Sequence, residues 1–435
     1  MIFQFHFPIN EGQTLPTAQM QTDHQKKDKG IKQKSKSMKG MPGMGGMTGM
    51  KGMKMKATYG NWPANREGSG TTWQPDSSPM FMKMLPAVAG FDWGLMGILE
   101  GGYVRDGGKR GGTGLFSNSM IMLDGRKDLG GGVFGLHFMT SLDPFINGER
   151  GVPNLFQNQF DVHGVPVGDR KDPHNVFSEV AVSYSHPLSR DWSGFFYGGP
   201  VGEPALGNVM YFHRSSGLEI PEAPISHDWF DGTHISFGVA TLGLVYRSKW
   251  KFEGSLFNGS DPGQKLYTIG TFALNSTAGR VSFNPSKDWS FSGSYGYMNS
   301  GGNDHRLTFS AAYSHNFSDS DNLSVTAYFG QNIVSGLPNS NAWLAEATYY
   351  HKRDAFFARI ERVDKTGELV NVPPGNYTIN KLLFGDVHTL LSRDRLNYGL
   401  GIYAGVYSFP GSLNPYYGRN PLTLGIYLRI RPSKM

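Results

Sequence analysis

Methionines at a fixed spacing are the first chemical signal in this chain. Met38, Met41, Met44, Met47, Met50 and Met53 recur every three residues, with Met55 close behind, in the run MKGMPGMGGMTGMKGMKMK. An extended polyproline-like chain has three residues per turn, so this spacing stacks the thioethers along one side. Thioethers are soft, uncharged ligands that select Cu(I), and Ag(I) by the same softness. Three or four of them can bind such an ion without a preformed fold. The plainer reading is a low-complexity linker rich in Met and Gly. No cofactor is required; the ions this tail suits are Cu(I) and Ag(I). The lysines between the methionines oppose cation binding, although their flexible stems can turn away.

Histidines form a second group. His163, His174, His213, His227 and His234 sit in or beside the two longest loops, with Asp172, Asp228 and Asp231 near them. Imidazole with carboxylate suits Cu(II), Zn(II) or Ni(II). No pair has a recognised metal signature, and scattered loop histidines more often hydrogen-bond loops together. Charged residues at alternating strand positions form the third group: Glu179, Glu253, Glu346 and Glu361, with Arg280, Arg306, Arg359, Arg395 and Arg429. Facing a lumen, they would line a pore and tune its selectivity; the alternative is an ion-pair network filling a closed barrel. For an enzyme, the run Ser226-His227-Asp228 is adjacent in sequence, but neighbours on an extended chain point apart, so the expectation is that the chain is not an enzyme.

The elements that must carry these residues are strands. In 306–314, Leu307, Phe309, Ala311 and Tyr313 share one face, against Arg306, Thr308, Ser310, Ala312 and Ser314. Segments 322–330, 396–406 and 422–431 alternate in the same way, one face apolar and the other polar. Short connections fall near 124–129, 187–190, 247–249, 286–287, 317–320, 352–353 and 392–393. Long ones fall near 105–113, 142–175, 200–231, 258–277, 299–305, 331–341, 364–377 and 407–419. Short and long connections alternate, which predicts an all-β, antiparallel up-and-down transmembrane barrel of about sixteen strands over residues 91–435. The same parity demotes 80–87 from strand to lead-in, so 79–90 reads as a periplasmic or lumenal segment. Residues 1–78, rich in Met, Lys and Gly, read as a disordered periplasmic tail.

Composition agrees. Glycine (59 residues), 13% aromatics and only 38% hydrophobic residues suit a β protein with a wet interior. No stretch reaches the roughly 18 apolar residues of a membrane helix, and barrel strands escape hydropathy windows because they alternate. Cysteine is absent, which excludes disulfides and thiolate metal sites. The net charge of +6 comes from lysines before the barrel; with no nucleic-acid motif beside them, no nucleic-acid partner is expected. Residues 1–20 show no basic start and no apolar run of signal-peptide length. An outer-membrane protein must be exported, so either this start is not the true one, or the chain is a processed form, or the barrel reading fails.

The stretches DPHNVFSEVAVSYSHPL, GGPVGEPALGNVMYFHRSS and SHDWFDGTHISFGVATLG, within 172–243, resemble a family of Gram-negative outer-membrane barrels. That family is often found alongside copper and other heavy-metal resistance functions. The similarity extends through TTWQPDSSPMFMKM and WLAEATYYHKRDAFFARIERVDK. The family commonly has a His where Asp172 or Lys171 stands; here only His174 remains in that turn, which weakens any shared metal site. The resemblance implies a barrel in the bacterial outer membrane and establishes no activity.

The resulting expectation is an outer-membrane channel or porin linked to metal (copper) handling, with the tail as a soft-metal trap. Its partners would be outer-membrane lipid and small solutes or metal ions, and the outer face leaves a homotrimer open. The alternative is a barrel plugged by loops 142–175 and 200–231, acting as a surface receptor or adhesion protein; a rim-located hydrolase is a minor third.

Overall fold

Alternation of apolar and polar residues along each strand decides the architecture, because one face must meet lipid and the other the lumen. The computed structural model describes residues 57–263, 265–299 and 302–435. The methionines at 38–55 lie outside the described residues.

The strands are β1 (Met82–Val88), β2 (Phe91–Asp106), β3 (Thr113–Leu129), β4 (Gly132–Thr140), β5 (Val152–Phe160) and β6 (Pro166–Lys171). There follow β7 (Phe177–Pro187), β8 (Trp192–Val201), β9 (Val239–Tyr246), β10 (Trp250–Phe257), β11 (Ser276–Ser286), β12 (Trp289–Asn299) and β13 (Asn303–Asn316). The last six are β14 (Asp321–Val334), β15 (Ser340–His351), β16 (Asp354–Thr366), β17 (Asn376–Arg393), β18 (Leu396–Ser408) and β19 (Leu422–Pro432). Sixteen of them, β2–β4 and β7–β19, pair antiparallel with their neighbours, and β19 pairs back onto β2 to close the barrel. Strands β5 and β6 form a separate hairpin inside the long loop between β4 and β7.

The outward face is apolar. Leu115, Leu242, Phe309, Ile360, Ile402, Leu424, Ile426 and Leu428 all stand exposed on it. Trp192 packs on Tyr246, Trp250 on Phe283 and Trp289 on Tyr313, each beside a short turn. That is an aromatic girdle at one membrane interface. The short turns and the barrel's chain ends share this rim, which is the periplasmic one; the long loops project from the other.

Four expectations are corrected. The tight turn expected at 124–129 lies at Gly130 and Gly131, both at positive φ. Asp124 and Arg126 are inward wall residues of β3, bound to His137 and Glu67, and their polarity imitates a turn. Likewise, the turn expected at 392–393 lies at Asp394 and Arg395, so Arg395 is exposed at the rim and faces no lumen. The connection expected to be long at 299–305 is short, since Asn299 already pairs with Asn303.

The fourth correction concerns the segment before the barrel. Residues 57–78 are folded, with Ala57, Tyr59, Trp62 and Trp73 buried against Tyr197, Leu206 and Phe257 inside the wall. Residues 82–88, read as lead-in, form β1, which pairs with the first half of β2, from Met82↔Met96 to Val88↔Phe91. The second half of that same edge belongs to β19, from Ile430↔Leu99 to Thr423↔Asp106. Phe81 bridges to Lys434, and the Met435 N–H donates to the Met80 carbonyl at 3.0 Å. One barrel strand is thus a composite, its outer part the C-terminal strand and its inner part the N-terminal one. Gly97 marks the changeover at φ 132°, where a Cβ would stand 2.1 Å from the Met120 carbonyl oxygen. Parity counting failed here because β1 extends an existing strand line and adds no new one.

Candidate functional site

Polar inner faces leave a lumen that something must hydrate or fill. Here two chain segments fill it: residues 57–78, and the loop 202–238 between β8 and β9, whose side chains are almost all buried. The wall charges each find a partner on one of them or on the wall itself. Glu253 of β10 holds Arg280 of β11 at 2.9 Å and Lys251 at 3.1 Å. Arg280 then reaches the Thr71 hydroxyl at 2.8 Å and the Gly207 carbonyl at 3.1 Å. Glu346 of β15 receives Arg214 of the loop at 2.5 Å and Arg359 of β16 at 2.9 Å, while Arg359 also donates to the Glu222 carbonyl at 2.8 Å. Glu361 accepts the Ser226 hydroxyl at 2.6 Å, and Glu179 accepts the Tyr197 hydroxyl at 2.6 Å. Arg429 and Arg431 both bind Glu219, and Lys381 binds Glu222. Arg306 donates to Asn332 at 2.9 Å.

The inward residues expected to line a pore, apart from Arg395, do face inward, but they are buried. The side chains of Glu253, Arg280, Glu346 and Arg429 have 0% exposure. Residues of an aqueous constriction touch water; these touch the inserted segments. Sequence reasoning missed the counter-charges Arg214, Glu219 and Glu222, because loop charges carry no periodicity to mark them as inward.

Toward the long-loop rim the filling stops and a cavity of about 440 Å³ opens, lined by Asp172, His174, His227, His234, Asp261 and Glu368 among others. Three of the five candidate histidines meet here. The His234 ring lies 5.5 Å from that of His174 and 5.2 Å from that of His227. Nδ1 of His174 pairs with Asp143 at 3.1 Å, and Nδ1 of His227 with Asp231 at 2.7 Å. Nδ1 of His234 donates to the Asp231 carbonyl at 2.8 Å. Fixing Nδ1 in this way aims Nε2 outward with its lone pair, as carboxylates do behind metal-ligating imidazoles. Nε2 of His174 and of His234 is buried without a partner. Among the described residues, however, no three imidazole or carboxylate groups already stand at metal-binding distance from one point.

Burial, with His227 and His174 close by, holds the His234 imidazole well below its ordinary pKa, so its ring is neutral. Burial raises the Asp231 carboxyl, but His227 and Arg214 outweigh it and keep the group ionised. His213 lies outside this trio, half-buried with its Nε2 enclosed, and desolvation lowers it to about 4. His163 is exposed, 3.5 Å from Glu149. The helical turn α1 (His227–Phe230) turns Ser226 toward Glu361, while His227 points to Asp231. The adjacent Ser-His-Asp run is therefore not a hydrogen-bonded nucleophile and base.

A closed sixteen-stranded barrel with an apolar outer belt, a polar inner face and long loops on one rim is a bacterial outer-membrane β-barrel with porin-like architecture. No protein-family model and no curated protein matches the chain. Among solved structures it is similar to the anion-selective porin from Comamonas acidovorans, at 13% identity and TM-score 0.48 over 78% of this chain and 98% of that one. It is also similar to the outer membrane channel DcaP of Acinetobacter baumannii, at 11% identity and TM-score 0.47 over 80% and 99%. A third similar structure is OprB of Pseudomonas putida, at 10% identity and TM-score 0.48 over 78% and 94%.

Proposed function

We propose that the protein is a gated outer-membrane channel for small cations, metal ions among them, and that the described conformation is its shut state. The observation that carries this reading is the chemistry of the filling. Apart from one apolar cluster around Tyr59, Trp62 and Trp73, the wall meets residues 57–78 through polar contacts: Lys251 on the Thr71 carbonyl, Asn284 on Gln74, Ser185 on Thr58, and Ser314, Asn316 and Asn322 on Ser77. Each such bond adds only about 0.5–1.5 kcal/mol net, because water replaces it on release. An apolar plug would leave a greasy bore behind; this one leaves a wettable, charged bore. The cavity above it sets four carboxylates, Asp172, Asp228, Asp261 and Glu368, against Arg170 and Lys171, an excess that favours cations at the entrance. The Met-rich tail, preceding the plug in the chain, would hold soft metal ions through its thioethers.

Single-channel conductance of the refolded chain in a planar bilayer tests this. The intact chain should be silent or open rarely, and a variant that lacks residues 1–78 and also carries Glu346→Gln, which frees the lumenal loop 202–238 from the wall, should show steady cation-selective steps. A truncated barrel that is folded by heat-modifiable migration yet stays silent would sink the gate and leave a plugged surface receptor. Steady large steps from the intact chain would refute the shut state.

A further inference from the structure

The methionines of the folded part are not scattered. Of the ten after residue 56, eight lie in two apolar clusters that share Met96. Strand register draws four of them into a line: Met82 pairs with Met96, Met96 with Met122, and Met122 with Met139. One unbroken row of thioethers therefore crosses the inner face of four neighbouring strands, β1 to β4. Directly opposed residues on one face have Cβ atoms about 4.5–5.5 Å apart, and the long methionine side chain lets neighbouring sulfurs meet on a single ion. Met120 stands two residues along β3 from Met122, on the same face. Met210 descends onto the patch from the lumenal loop, and its sulfur accepts the Phe212 N–H at 3.2 Å.

Methionine often serves as an adaptable gap-filler in cores. Gap-filling explains single methionines and does not select the same residue at four successive register positions. The surroundings add a second observation. Nε2 of His213, three residues after Met210, is buried with no hydrogen-bond partner. Asp124, the next inward residue after Met122 on β3, is also buried and supplies negative charge close by.

We propose that Met82, Met96, Met120, Met122, Met139 and Met210 form a thioether site for a soft monovalent cation, Cu(I) or Ag(I), inside the barrel. Sulfur selects these ions over the hard cations that prefer oxygen. A single charge among neutral, polarisable ligands is also tolerated in a dry interior far better than a double one. The row runs from the seam, where Met80 meets the chain's C-terminus, to the outer end of β4. From there Phe212, packed in the same cluster, touches His174, with ring centroids 5.3 Å apart. The thioether row thus extends from the seam to Met139, and Phe212 packs its cluster against the foot of the outer cavity. The site stands whether or not the barrel conducts.

Ag(I) is the probe, since it is redox-stable, and the full chain is used throughout. In a tail variant, Met38, Met41, Met44, Met47, Met50, Met53 and Met55 are replaced by Leu, leaving only the lumenal methionines as a cluster. A second variant adds Met96→Leu, Met122→Leu and Met139→Leu, which conserve volume. Equilibrium dialysis should show that the tail variant retains Ag(I), and X-ray absorption should show sulfur neighbours. The second variant, folded by heat-modifiable migration, should bind at least tenfold more weakly. The proposal is overturned if the tail variant binds no Ag(I), if its bound Ag(I) has only nitrogen or oxygen neighbours, or if the folded second variant binds equally well. Should the second variant fail to fold, the absorption spectrum of the tail variant decides alone.

Discussion

Replacing Glu346 by Gln should release the lumenal loop. Glu346 is the one carboxylate between two buried guanidiniums, Arg214 on the loop and Arg359 on the wall, and its own exposure is 0%. Glutamine keeps the shape and removes the charge. In the docked state Arg359 then keeps only the pull of Glu361, with which it forms no ion pair, and Arg214 keeps only Asp231, at 3.3 Å. Removing one partner of a buried pair costs about 3–5 kcal/mol, because the remaining charge stays desolvated. In the released state water hydrates both arginines, so the cost falls almost wholly on docking. It corresponds to roughly two to three and a half orders of magnitude in the docking equilibrium. Two assays read it: the open fraction in single-channel records, and trypsin cleavage after Arg214. A Glu346→Leu, Arg359→Met double variant rebalances the charge, since Arg214 still has Asp231, and should restore both closure and protection. If Glu346→Gln is folded, silent and as resistant at Arg214 as the parent chain, the loop is not a releasable element.

Burial pushes the Glu203 carboxyl up to about 8, against the pull of Arg280 and a Ser69 hydrogen bond. The docked state therefore holds a proton that the released state gives up near the ordinary 4.5. Docking should be most stable in acid and weaken as pH rises from about 4.5 to about 8, then level off; the open fraction should climb over that window, and Glu203→Gln should flatten the climb. A profile that falls with pH would contradict the placement of this carboxyl. On the opposite face, Ile360 is 57% exposed in the middle of β16. Ile360→Lys should destabilise the barrel by about 2–4 kcal/mol in bilayers, read from urea unfolding; no loss would show that this surface is covered by something other than lipid.

The wall was legible in the sequence because lipid enforces a strict period of two, visible in Leu422, Leu424, Ile426 and Leu428 against Thr423, Tyr427 and Arg429. The filling was not. Residues 57–78 contain Gly, Asn, Ser, Thr and Pro, a composition that reads as disorder when an apolar core is the assumed partner. Their actual partner is a largely polar wall, which such residues suit, with one apolar pocket that takes Tyr59, Trp62 and Trp73. Asp124 and Arg126 misled for the same reason, as lumenal polarity resembles turn polarity. The loop histidines were found as candidates, but which three would meet depended on how 202–238 folds back, a long-range outcome without a local signal. A period-two methionine signal was present in Met80-Phe81-Met82-Lys83-Met84 and Met120-Ile121-Met122. Its meaning appears only when register aligns the strands.

The composite strand sets an order of mechanical failure. Along the chain the plug comes first, then β1, then the wall, so tension applied from the N-terminal side reaches residues 57–78 before it reaches the seam. The plug's polar contacts yield one after another as the segment is drawn out. The ladder from Met82↔Met96 to Val88↔Phe91 is then loaded from its Met82 end, and the pairs beside the hairpin turn are reached last. Beyond it, the C-terminal half of the same strand is held to β2 by its own separate ladder and takes up tension only through the Phe81–Lys434 bridge and the Met435–Met80 hydrogen bond. A pull from the periplasm can thus withdraw residues 57–78 while the wall and the lumenal loop stay in place, with β1 as the tether that brings the plug back.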